Sequence, residues 1–463
     1  MDRWVSPALD YALSWLEFQM RLSQLPGCII AVAERDRVVL EHAFGHADLA
    51  RGEKLTPRHR FRIASHSKSF TAAGILKLRE GNKLRLDDPA GRFVRGLHPQ
   101  VAEATLAQVA SHSAGLIRDG GDAGFYDESR RWPDKEELLA ELRKPPVLEP
   151  NTRFKYSNLG FALLGQVIEA VSGTPYPDWI SREVIGPAGL HETLPDGPPP
   201  RGMPFARGHT PKLLLGERLV IPGDYTEGAV APAGGFVSTA ADVARFYAQL
   251  SPSAKRSLLS PASRREMTRR HWRNPHSAME TYYGLGTISG SASGWDWFGH
   301  GGGLQGYISS TRMYPAQELT LTVLTNSTDG WAGYWLDGVT HILRAFAHRG
   351  APARRLRDWG GRWWSSWGAL DLVPMGNQVL TANPYMGNPF VDASELQETG
   401  RDQGRIAQAN GYGSHGEGVR LVRTKSGGAS ELWFGAARLR TEAQAAAALR
   451  RKYAGARRRA RSP

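Results

Sequence analysis

The pattern of apolar and polar positions divides the first 350 residues into strand-forming ends and a helical middle. The predicted strands are 28–34, 37–44, Trp295–Phe298, Tyr307–Tyr314 and Leu319–Asn326. The predicted helices are 7–23, one that starts at Ser65, several within 85–250, and 332–348. Strands at both ends with helices between them predict an α+β fold, in which an antiparallel sheet is completed by both ends of the region and a helical lobe lies beside it. A functional site is expected in the cleft between sheet and lobe.

The character of the sequence changes after residue 350, where a segment rich in Pro and Arg over 351–357 is typical of a linker. Short strand-like runs separated by turns rich in Gly and Asn follow it, at Ala369–Val373, Val379–Ala382, Arg405–Ala409, Val419–Arg423 and Glu431–Phe434. An Ala-rich helix is predicted over 441–453. We therefore predict three parts: a domain over 1–350, a small β-rich accessory domain over 357–453, and a basic, disordered tail over 454–463.

Ser65 is the only serine in the chain with a lysine three residues later, Lys68. The stretch continues without proline to Leu76, so it is predicted to be helical, and residues three apart on a helix share a face. A serine hydroxyl becomes a good nucleophile only when a neighbouring group takes its proton. The free N–H groups at a helix start can also stabilise a developing oxyanion. The pair is a candidate nucleophile and base, although the motif alone also fits a capped helix with a solvated lysine.

Two further segments favour the catalytic interpretation. Tyr156 is the only tyrosine with an asparagine, Asn158, two places later. His300 follows the aromatic segment 295–298 and precedes three glycines that end at Gly303. Aromatic residues followed by glycines are typical of a strand whose backbone another group approaches closely. Each segment alone fits a turn or a loop, but the three in this order indicate one site.

The sequence resembles the serine β-lactamase-like hydrolases, in three motifs: Ser65-x-x-Lys68, Tyr156-x-Asn158 and His300-x-Gly302. The second motif is similar to that of class C β-lactamases, family VIII carboxylesterases and D-aminopeptidase-like enzymes. Further segments that resemble the family are Leu84–Pro89, Ser111–Leu116 and Ala231–Thr239, so that the resemblance covers roughly residues 20–345. It implies a β-lactamase/penicillin-binding-protein-like fold, with an antiparallel sheet flanked by helices and a helical lobe, to which this chain adds a small C-terminal β domain.

The resemblance implies a two-step acyl transfer in which Ser65 attacks an ester or amide carbonyl, and Lys68 and Tyr156 share the proton handling. Ionising a tyrosine at pH 7 costs about 4 kcal/mol, which adjacent positive charge could offset. The alternative is a Lys68 that burial makes neutral. The two groups titrate as a coupled pair, and the sequence leaves both possibilities open.

The remaining site residues are also assigned by resemblance. The N–H groups of Ser65 and Gly303 would form the oxyanion hole, within the third motif that includes Gly302. Asn158 would orient Lys68 and the acyl side chain. His300 would line the cleft and hydrogen-bond Tyr156 or the leaving group.

The third motif departs from that of many β-lactamases and cell-wall peptidases, because His300 stands where they carry a lysine that holds the substrate carboxylate. A neutral imidazole is a poorer carboxylate anchor at pH 7. We therefore expect a carboxylesterase-like enzyme, since small activated esters are the easiest acyl donors for such a site. D-amino-acid peptidase or amidase, β-lactamase and acyltransferase activities are the alternatives within the family.

Two other interpretations can be compared with this one. The segment His300–Gly303 also matches the oxyanion motif of lipases, but an α/β-hydrolase needs a Gly-x-Ser-x-Gly elbow after it, and the sequence contains none. A family member that has lost catalysis could act as a binding protein. Such a loss normally appears at the nucleophile, its lysine or the tyrosine, and all three residues are present.

Composition suggests the compartment and the partners. The start of the chain lacks the apolar core of a signal peptide, no apolar run approaches a membrane span, and the single cysteine, Cys28, lies in a predicted buried strand. We therefore expect a cytoplasmic protein without a membrane partner. The net charge is +13, and much of it comes from the acid-free end of the chain: Arg450, Arg451, Lys452, Arg457, Arg458, Arg459 and Arg461. Such an end is usually solvated, so nucleic-acid binding is not expected.

No cofactor or metal is expected, and the predicted partner is a small ester, amide or D-amino-acid substrate. His42 and His46 have the spacing that places two metal ligands on one helix face. They fall at the end of a predicted strand, however, where residues four apart are roughly 13 Å from each other. The sequence does not indicate an oligomeric state.

Overall fold

The structure is a computed structural model that describes residues 2–275, 280–292, 294–410 and 412–459. It divides into two compact units, Gln24–Leu336 and Met1–Ser23 with Asp337–Pro463. The α-helices are α1 (Val5–Ser23), α2 (Ser67–Glu80), α3 (Pro99–Glu103), α4 (Leu106–Ala110), α5 (Lys135–Leu142), α6 (Asn158–Ser172), α7 (Tyr176–Ile180), α8 (Lys212–Leu215), α9 (Ala231–Gly234), α10 (Ala240–Gln249), α11 (Pro261–Thr268), α12 (Ala332–Arg349) and α13 (Glu442–Arg459). Within the described ranges, no helix is both long and apolar enough to cross a bilayer.

The strands of the unit Gln24–Leu336 are β1 (Gly27–Glu34), β2 (Arg37–Asp48), β3 (Glu53–Lys54), β4 (Phe61–Arg62), β5 (Gly208–His209), β6 (Val220–Ile221), β7 (Val237–Ser238), β8 (Trp272–Asn274), β9 (Thr281–Tyr283), β10 (Ile288–Ala292), β11 (Trp295–Leu304), β12 (Tyr307–Tyr314) and β13 (Leu319–Thr325). Those of the other unit are β14 (Gly361–Ser365), β15 (Gly368–Met375), β16 (Gln378–Ala382), β17 (Glu395–Gly400), β18 (Gln403–Gln408), β19 (Gly418–Arg423), β20 (Ala429–Phe434) and β21 (Ala437–Arg440).

A nine-stranded sheet organises the unit Gln24–Leu336, in the order β3-β2-β1-β13-β12-β11-β10-β9-β8. The first and last long strands are neighbours, since β1 pairs antiparallel with β13 through Ile30 opposite Val323. Residues Gly27–Ala33 of β1 are buried, which agrees with their nearly continuous apolar sequence. The predicted α+β arrangement, with a sheet completed from both ends of the region, is confirmed.

The helical lobe lies between β4 and β8 in sequence, and α2 is its central helix. Eleven of the fourteen residues of α2 are buried, among them the polar residues of its first turns, so this helix lies inside the core on nearly all sides. α6 begins with a side-chain cap, because Ser157 Oγ accepts a hydrogen bond from the N–H of Gly160 at 3.0 Å. The same lobe contributes the short helix α9, which packs on both α2 and α6.

The unit formed by Met1–Ser23 and Asp337–Pro463 contains a closed barrel of the strands β14 to β21. Helix α1 belongs to this unit: Trp15 Nε1 donates to the carbonyl of Met386 at 3.2 Å, and Gln19 Nε2 donates to the carbonyl of Pro384 at 2.6 Å. Of the predicted domain 1–350, only Gln24–Leu336 forms one compact unit, and residues 1–23 and 337–350 belong to the unit with the barrel. The sequence did not indicate this, because the contacts join residues more than 350 positions apart.

The end of the chain differs from expectation in detail. α13 continues to Arg459, past the predicted helix end at 453, so the predicted tail over 454–463 begins inside a helix, and 460–463 lie outside the described residues. Trp359 and Trp363 are in the barrel core. Trp367, by contrast, is 97% exposed.

Candidate active site

Ser65 lies on a tight turn that precedes α2. The turn is a 3-10 segment, Ala64–His66, and the α-helix begins only at Ser67. Ala64 has a φ of +47°, in the left-handed region that is unfavourable for a residue with a side chain. The hydroxyl of Ser67 stabilises the turn by donating to the carbonyl of Ala64 at 2.6 Å. The α-helix therefore begins two residues later than the predicted start at Ser65. Strained backbone of this kind is common at functional sites.

Lys68 reaches back from the first turn of α2 to the nucleophile. Its Nζ lies 3.1 Å from Ser65 Oγ and 2.7 Å from the carbonyl oxygen of Ala233. The side chain is fully buried, and this burial lowers the pKa of Lys68 to about 7, against the opposing attraction of Glu227 and Asp119. Close to half of the Lys68 side chains are then neutral at pH 7.

Tyr156 approaches Ser65 from the segment just before α6. Its hydroxyl lies 2.9 Å from Ser65 Oγ. The cationic groups of Lys68 and Arg118 lie 4.8 Å and 5.4 Å from the centre of its ring. Burial nevertheless raises the pKa of Tyr156 above its ordinary value, and the hydrogen bond to Ser65 opposes this rise only in part. The phenol is therefore protonated at neutral pH.

Asn158 is the first residue of α6, and its amide points to an acidic neighbour. Nδ2 donates to Asp119 Oδ1 at 2.5 Å and to the hydroxyl of Tyr126 at 2.9 Å. The predicted role of orienting Lys68 differs from this geometry, because Lys68 Nζ bonds to Ser65 and Ala233 instead. Asn158 lines the same cavity as Ser65, so its predicted proximity to an acyl group is compatible with the structure.

His300 is on β11 and is 3% exposed. In place of the predicted contact with Tyr156, its Nε2 lies 3.0 Å from the hydroxyl of Tyr283. The two residues lie on the strands that flank β10, because Ile288 of β10 pairs both with Tyr283 of β9 and with Gly299 of β11. Burial lowers the pKa of His300 well below its usual value, so the imidazole is neutral.

Gly302 and Gly303, the last two of the three glycines after His300, differ in how much space surrounds them. A Cβ at Gly302 would lie 2.3 Å from the carbonyl oxygen of Ile63 and 3.1 Å from the Cβ of Ala64, so a side chain there would collide with the nucleophile turn. A Cβ at Gly303 would meet only ordinary contacts, the first of them Ile308 at 3.5 Å. Gly303 lines the cavity next to Ser65, as expected of an oxyanion-hole residue.

The segment Ala231–Thr239 has a structural role that sequence reasoning did not assign. The carbonyl of Ala233 accepts the hydrogen bond from Lys68, and that of Pro232 accepts one from Thr71 Oγ1 at 2.6 Å. The N–H of Phe236 donates to Ser67 Oγ at 3.0 Å. The segment thus fixes both Lys68 and the first turns of α2, and its similarity to a family segment was the signal in the sequence.

Sequence reasoning also missed two buried side chains near the site. His112, in the Ser111–Leu116 segment, has its ring centre 4.2 Å from that of Tyr156. Glu227 is 1% exposed and lines the cavity at Ser65. No pattern in the sequence singled out Glu227, since it lies in an irregular segment between β6 and α9.

The cavity at the nucleophile is small, about 20 Å³. Its lining combines polar side chains with a backbone that a ligand can approach, and consists of Ala64, Ser65, Tyr126, Asn158, Glu227, Val230, Ala233, Gly234, Gly303 and Leu304. Among the residues that the structure describes, no group of three His, Cys, Asp or Glu is arranged to hold a metal ion. The arrangement is suited to acyl transfer on a serine, with proton transfer by Lys68 and Tyr156.

Comparisons with known proteins agree with this geometry. The sequence profile of the Beta-lactamase family matches residues 14–334. Penicillin-binding protein 4* of Bacillus subtilis (strain 168) is 32% identical over 173 residues, which are 37% of this chain and 38% of that protein. The chain therefore matches less than two fifths of the length of this curated relative.

Two solved structures have similar folds over most of their own length. The octameric penicillin-binding protein homologue from Pyrococcus abyssi has a TM-score of 0.65 at 23% identity, and the match covers 93% of this chain and 99% of that one. A D-stereospecific amidohydrolase from Streptomyces sp. has a TM-score of 0.59 at 25% identity, over 71% of this chain and 96% of that one. With the profile match over more than half of its length, the chain belongs to the Beta-lactamase family of serine hydrolases, as its three motifs predicted.

Proposed function

We propose that the chain cleaves ester or amide bonds through an acyl-enzyme on Ser65. The observation that carries this proposal is the convergence of two proton-transfer groups on one hydroxyl: Lys68 Nζ at 3.1 Å and Tyr156 Oη at 2.9 Å from Ser65 Oγ. Both distances are within hydrogen-bond reach, which is the geometry required of a general base and its nucleophile.

Lys68 is the base in the free enzyme under this proposal. Burial brings the pKa of Lys68 to about 7 and raises that of Tyr156 above its ordinary value. Neutral Lys68 can therefore accept the proton of Ser65, whereas ionising Tyr156 would cost more than the roughly 4 kcal/mol of an exposed phenol. Tyr156, as a neutral donor, then passes a proton to the leaving group while Lys68 restores it.

The developing negative charge on the substrate oxygen needs donors next to Ser65. The N–H groups of Ser65 and Gly303 fit this role, since both residues line the cavity and Gly302 lets β11 approach the nucleophile turn. Donors of this kind typically contribute about 2.7–4 kcal/mol each to transition-state stabilisation.

The most suitable substrates are carboxylic esters that carry no carboxylate near the scissile bond. His300 is neutral and buried, so it does not supply the positive charge that would hold a substrate carboxylate. This favours carboxylesterase activity over β-lactam hydrolysis.

A second candidate is hydrolysis of D-amino-acid amides. Asp119, whose side chain is 14% exposed, and Glu227 both lie close to the cavity lining, where a carboxylate could pair with a substrate ammonium group. The similarity to the D-stereospecific amidohydrolase supports this candidate through the fold.

The test is a panel of p-nitrophenyl esters, D- and L-amino-acid amides and nitrocefin, combined with a fluorophosphonate probe. We expect ester turnover and labelling of Ser65, both abolished in Ser65→Ala. Ser181→Ala, at the C-terminal end of α7 and outside the cavity lining, is the matched control and should retain both. Labelling of a different serine, or unchanged turnover in Ser65→Ala, would disprove the proposal. Preference for D-amides over esters would favour the second candidate.

A further inference from the structure

Glu227 is a carboxyl group at the nucleophile cavity that the proposed acylation does not use. It is 1% exposed and borders the same cavity as Ser65, Asn158 and Gly303. Its backbone is fixed from outside the cavity, because the N–H of Glu227 donates to Asp196 Oδ1 at 3.0 Å. A buried carboxyl group is costly to a fold unless it has polar partners.

Arg62, the cationic residue that faces the carboxyl group of Glu227, does not provide a full partner. Arg62 Nη1 is 3.9 Å from Glu227 Oε1, which is an ion pair beyond hydrogen-bond distance, and neither atom has a hydrogen-bond partner. Arg62 instead uses Nη2, which donates to the carbonyls of Gly223, at 2.8 Å, and Tyr225. The positive charge of Arg62 thus attracts the carboxyl group, and Glu227 Oε1 has no hydrogen-bond donor within reach.

Gly234 provides the space for this carboxyl group. A Cβ at Gly234 would lie 2.5 Å from Glu227 Oε2, and Gly234 itself lines the cavity. Any larger residue at this position would push the carboxyl group away from its place. Gly234, in the family-like segment Ala231–Thr239, therefore leaves room for an acid at the cavity beside the nucleophile.

The cavity has the size and the polarity of a single water site. Its volume is about 20 Å³, and one water needs roughly 10–15 Å³ and two to four polar partners. Four residues that carry polar side chains line the space: Ser65, Tyr126, Asn158 and Glu227. A water there would donate to the Glu227 carboxyl group and would lie beside the acyl carbon on Ser65.

We propose that Glu227 binds the water that hydrolyses the acyl-enzyme and accepts a proton from it. This inference rests on the proposed acyl-enzyme at Ser65. In the step, the water oxygen forms a bond to the acyl carbon as its proton moves to the Glu227 carboxylate. The bond from the acyl carbon to Ser65 Oγ then breaks, and Ser65 Oγ takes a proton from the hydroxyl of Tyr156. The acid product leaves, Glu227 loses its proton to solvent, and Tyr156 regains one from solvent, so that every group is restored.

The electrostatic setting of Glu227 is compatible with a general base. Burial raises the pKa of Glu227 to about 8, and the positive charges of Arg62 and Lys68 oppose that rise, while Asp196 adds to it. A base is most effective when its pKa is close to the working pH. Glu227 would thus act in deacylation and Lys68 in acylation, so that each half-reaction has its own base.

The experiment separates the two half-reactions in Glu227→Gln, with a p-nitrophenyl ester as substrate. The burst of p-nitrophenol reports acylation, and the mass of the intact protein reports the acyl-enzyme. We expect acylation to stay within about threefold of wild type and deacylation to fall by about 10²-fold or more, the usual contribution of a general base. The acyl-enzyme should then accumulate, and hydroxylamine, which needs no base to attack, should restore turnover.

Three further results make the test decisive. Asp224→Asn, an exposed carboxylate in the same loop that pairs with Arg207, is the matched control and should leave both rates unchanged. Glu227→Asp keeps the charge but shortens its reach, so it should show a smaller deacylation defect and covers the case in which Glu227→Gln does not fold.

Equal loss of both rates, or no accumulation of acyl-enzyme in either folded variant, would overturn the role of Glu227. Absence of Ser65 labelling in wild type would instead overturn the proposed function itself.

Discussion

The backbone N–H of Ser157 donates a hydrogen bond to Nδ1 of His112, 3.1 Å away. On the other side of Tyr156, the N–H of Lys155 donates to the carbonyl of His112 at 2.8 Å. One histidine therefore holds both neighbours of the catalytic tyrosine that we propose. His112 has a φ of +59°, and its burial lowers its pKa well below the usual value, so that Nδ1 is free to accept.

We predict that His112→Ala lowers kcat by at least about tenfold with little change in KM, because Tyr156 would lose its orientation toward Ser65. His112→Asn should retain much of the activity. The amide oxygen of Asn can take the position of Nδ1, and Asn tolerates the left-handed backbone of this residue. Steady-state kinetics and thermal unfolding of both variants check this. Equal activity losses in the two variants would show that the ring, not the acceptor, is what matters.

The sequence predicted the main features of the fold because its strongest signals are local. The predicted strand Tyr307–Tyr314 has the same bounds as β12, and Leu319–Asn326 differed from β13 by one position. Lys68 and Tyr156 both reach Ser65 Oγ, and Gly302 lies against the turn before it. These features depend on periodicity and on side-chain types that are visible within a few residues.

Features that depend on distant contacts could not be predicted. The nucleophile turn adopts its left-handed Ala64 next to Gly302, more than 200 positions later in the chain. His300 bonds to Tyr283 of β9, two strands away in the sheet, and Glu227 reaches the cavity from an irregular loop. Helix α1 was predicted correctly as a helix, but its partners Met386 and Pro384 are outside any local pattern.

Gly302 offers a test of the close approach between β11 and the nucleophile turn. We predict that Gly302→Ala destabilises the protein by about 1–3 kcal/mol and abolishes activity, because the new methyl group would lie 2.3 Å from the carbonyl oxygen of Ile63. Gly303→Ala is the matched control: its methyl group would have ordinary contacts at 3.5 Å or more, so it should change stability little. Denaturant unfolding of both variants measures the difference. Similar free energies of unfolding for the two variants would show that the nucleophile turn can move away from β11 at little cost.

The pH dependence of acylation should report Lys68. Only neutral Lys68 can accept the proton of Ser65, and its pKa is about 7, so kcat/KM should rise with pH through about 7 and level off above about 8. A neutral p-nitrophenyl ester avoids titration of the substrate. Tyr156→Phe should show the same rise of kcat/KM through about pH 7, at reduced activity. If kcat/KM of the wild type instead rose only at pH 9 or above, ionised Tyr156 and not Lys68 would be the base.

Lys68 should also cost the protein stability, because its side chain is fully buried. Its pKa falls from an ordinary 10.5 to about 7 on folding. The unfolded chain therefore binds more protons between these two values, so stability rises with pH across this window, and the penalty is complete below about pH 7. Lys68→Met removes the charge while keeping the volume.

We predict that Lys68→Met is inactive yet more stable than wild type at pH 7, by about 1–3 kcal/mol. The gain is less than the full shift implies, since the carbonyl of Ala233 loses its donor. The gain should shrink as pH rises from 7 toward 10, because the unfolded chain keeps the Lys68 proton up to about pH 10.5 while the folded chain has lost it. Lys83→Met, an exposed lysine after the same helix, is the control and should show no such trend. Thermal unfolding from pH 6 to 10 measures it, and a gap that does not depend on pH would contradict a neutral Lys68 at the nucleophile.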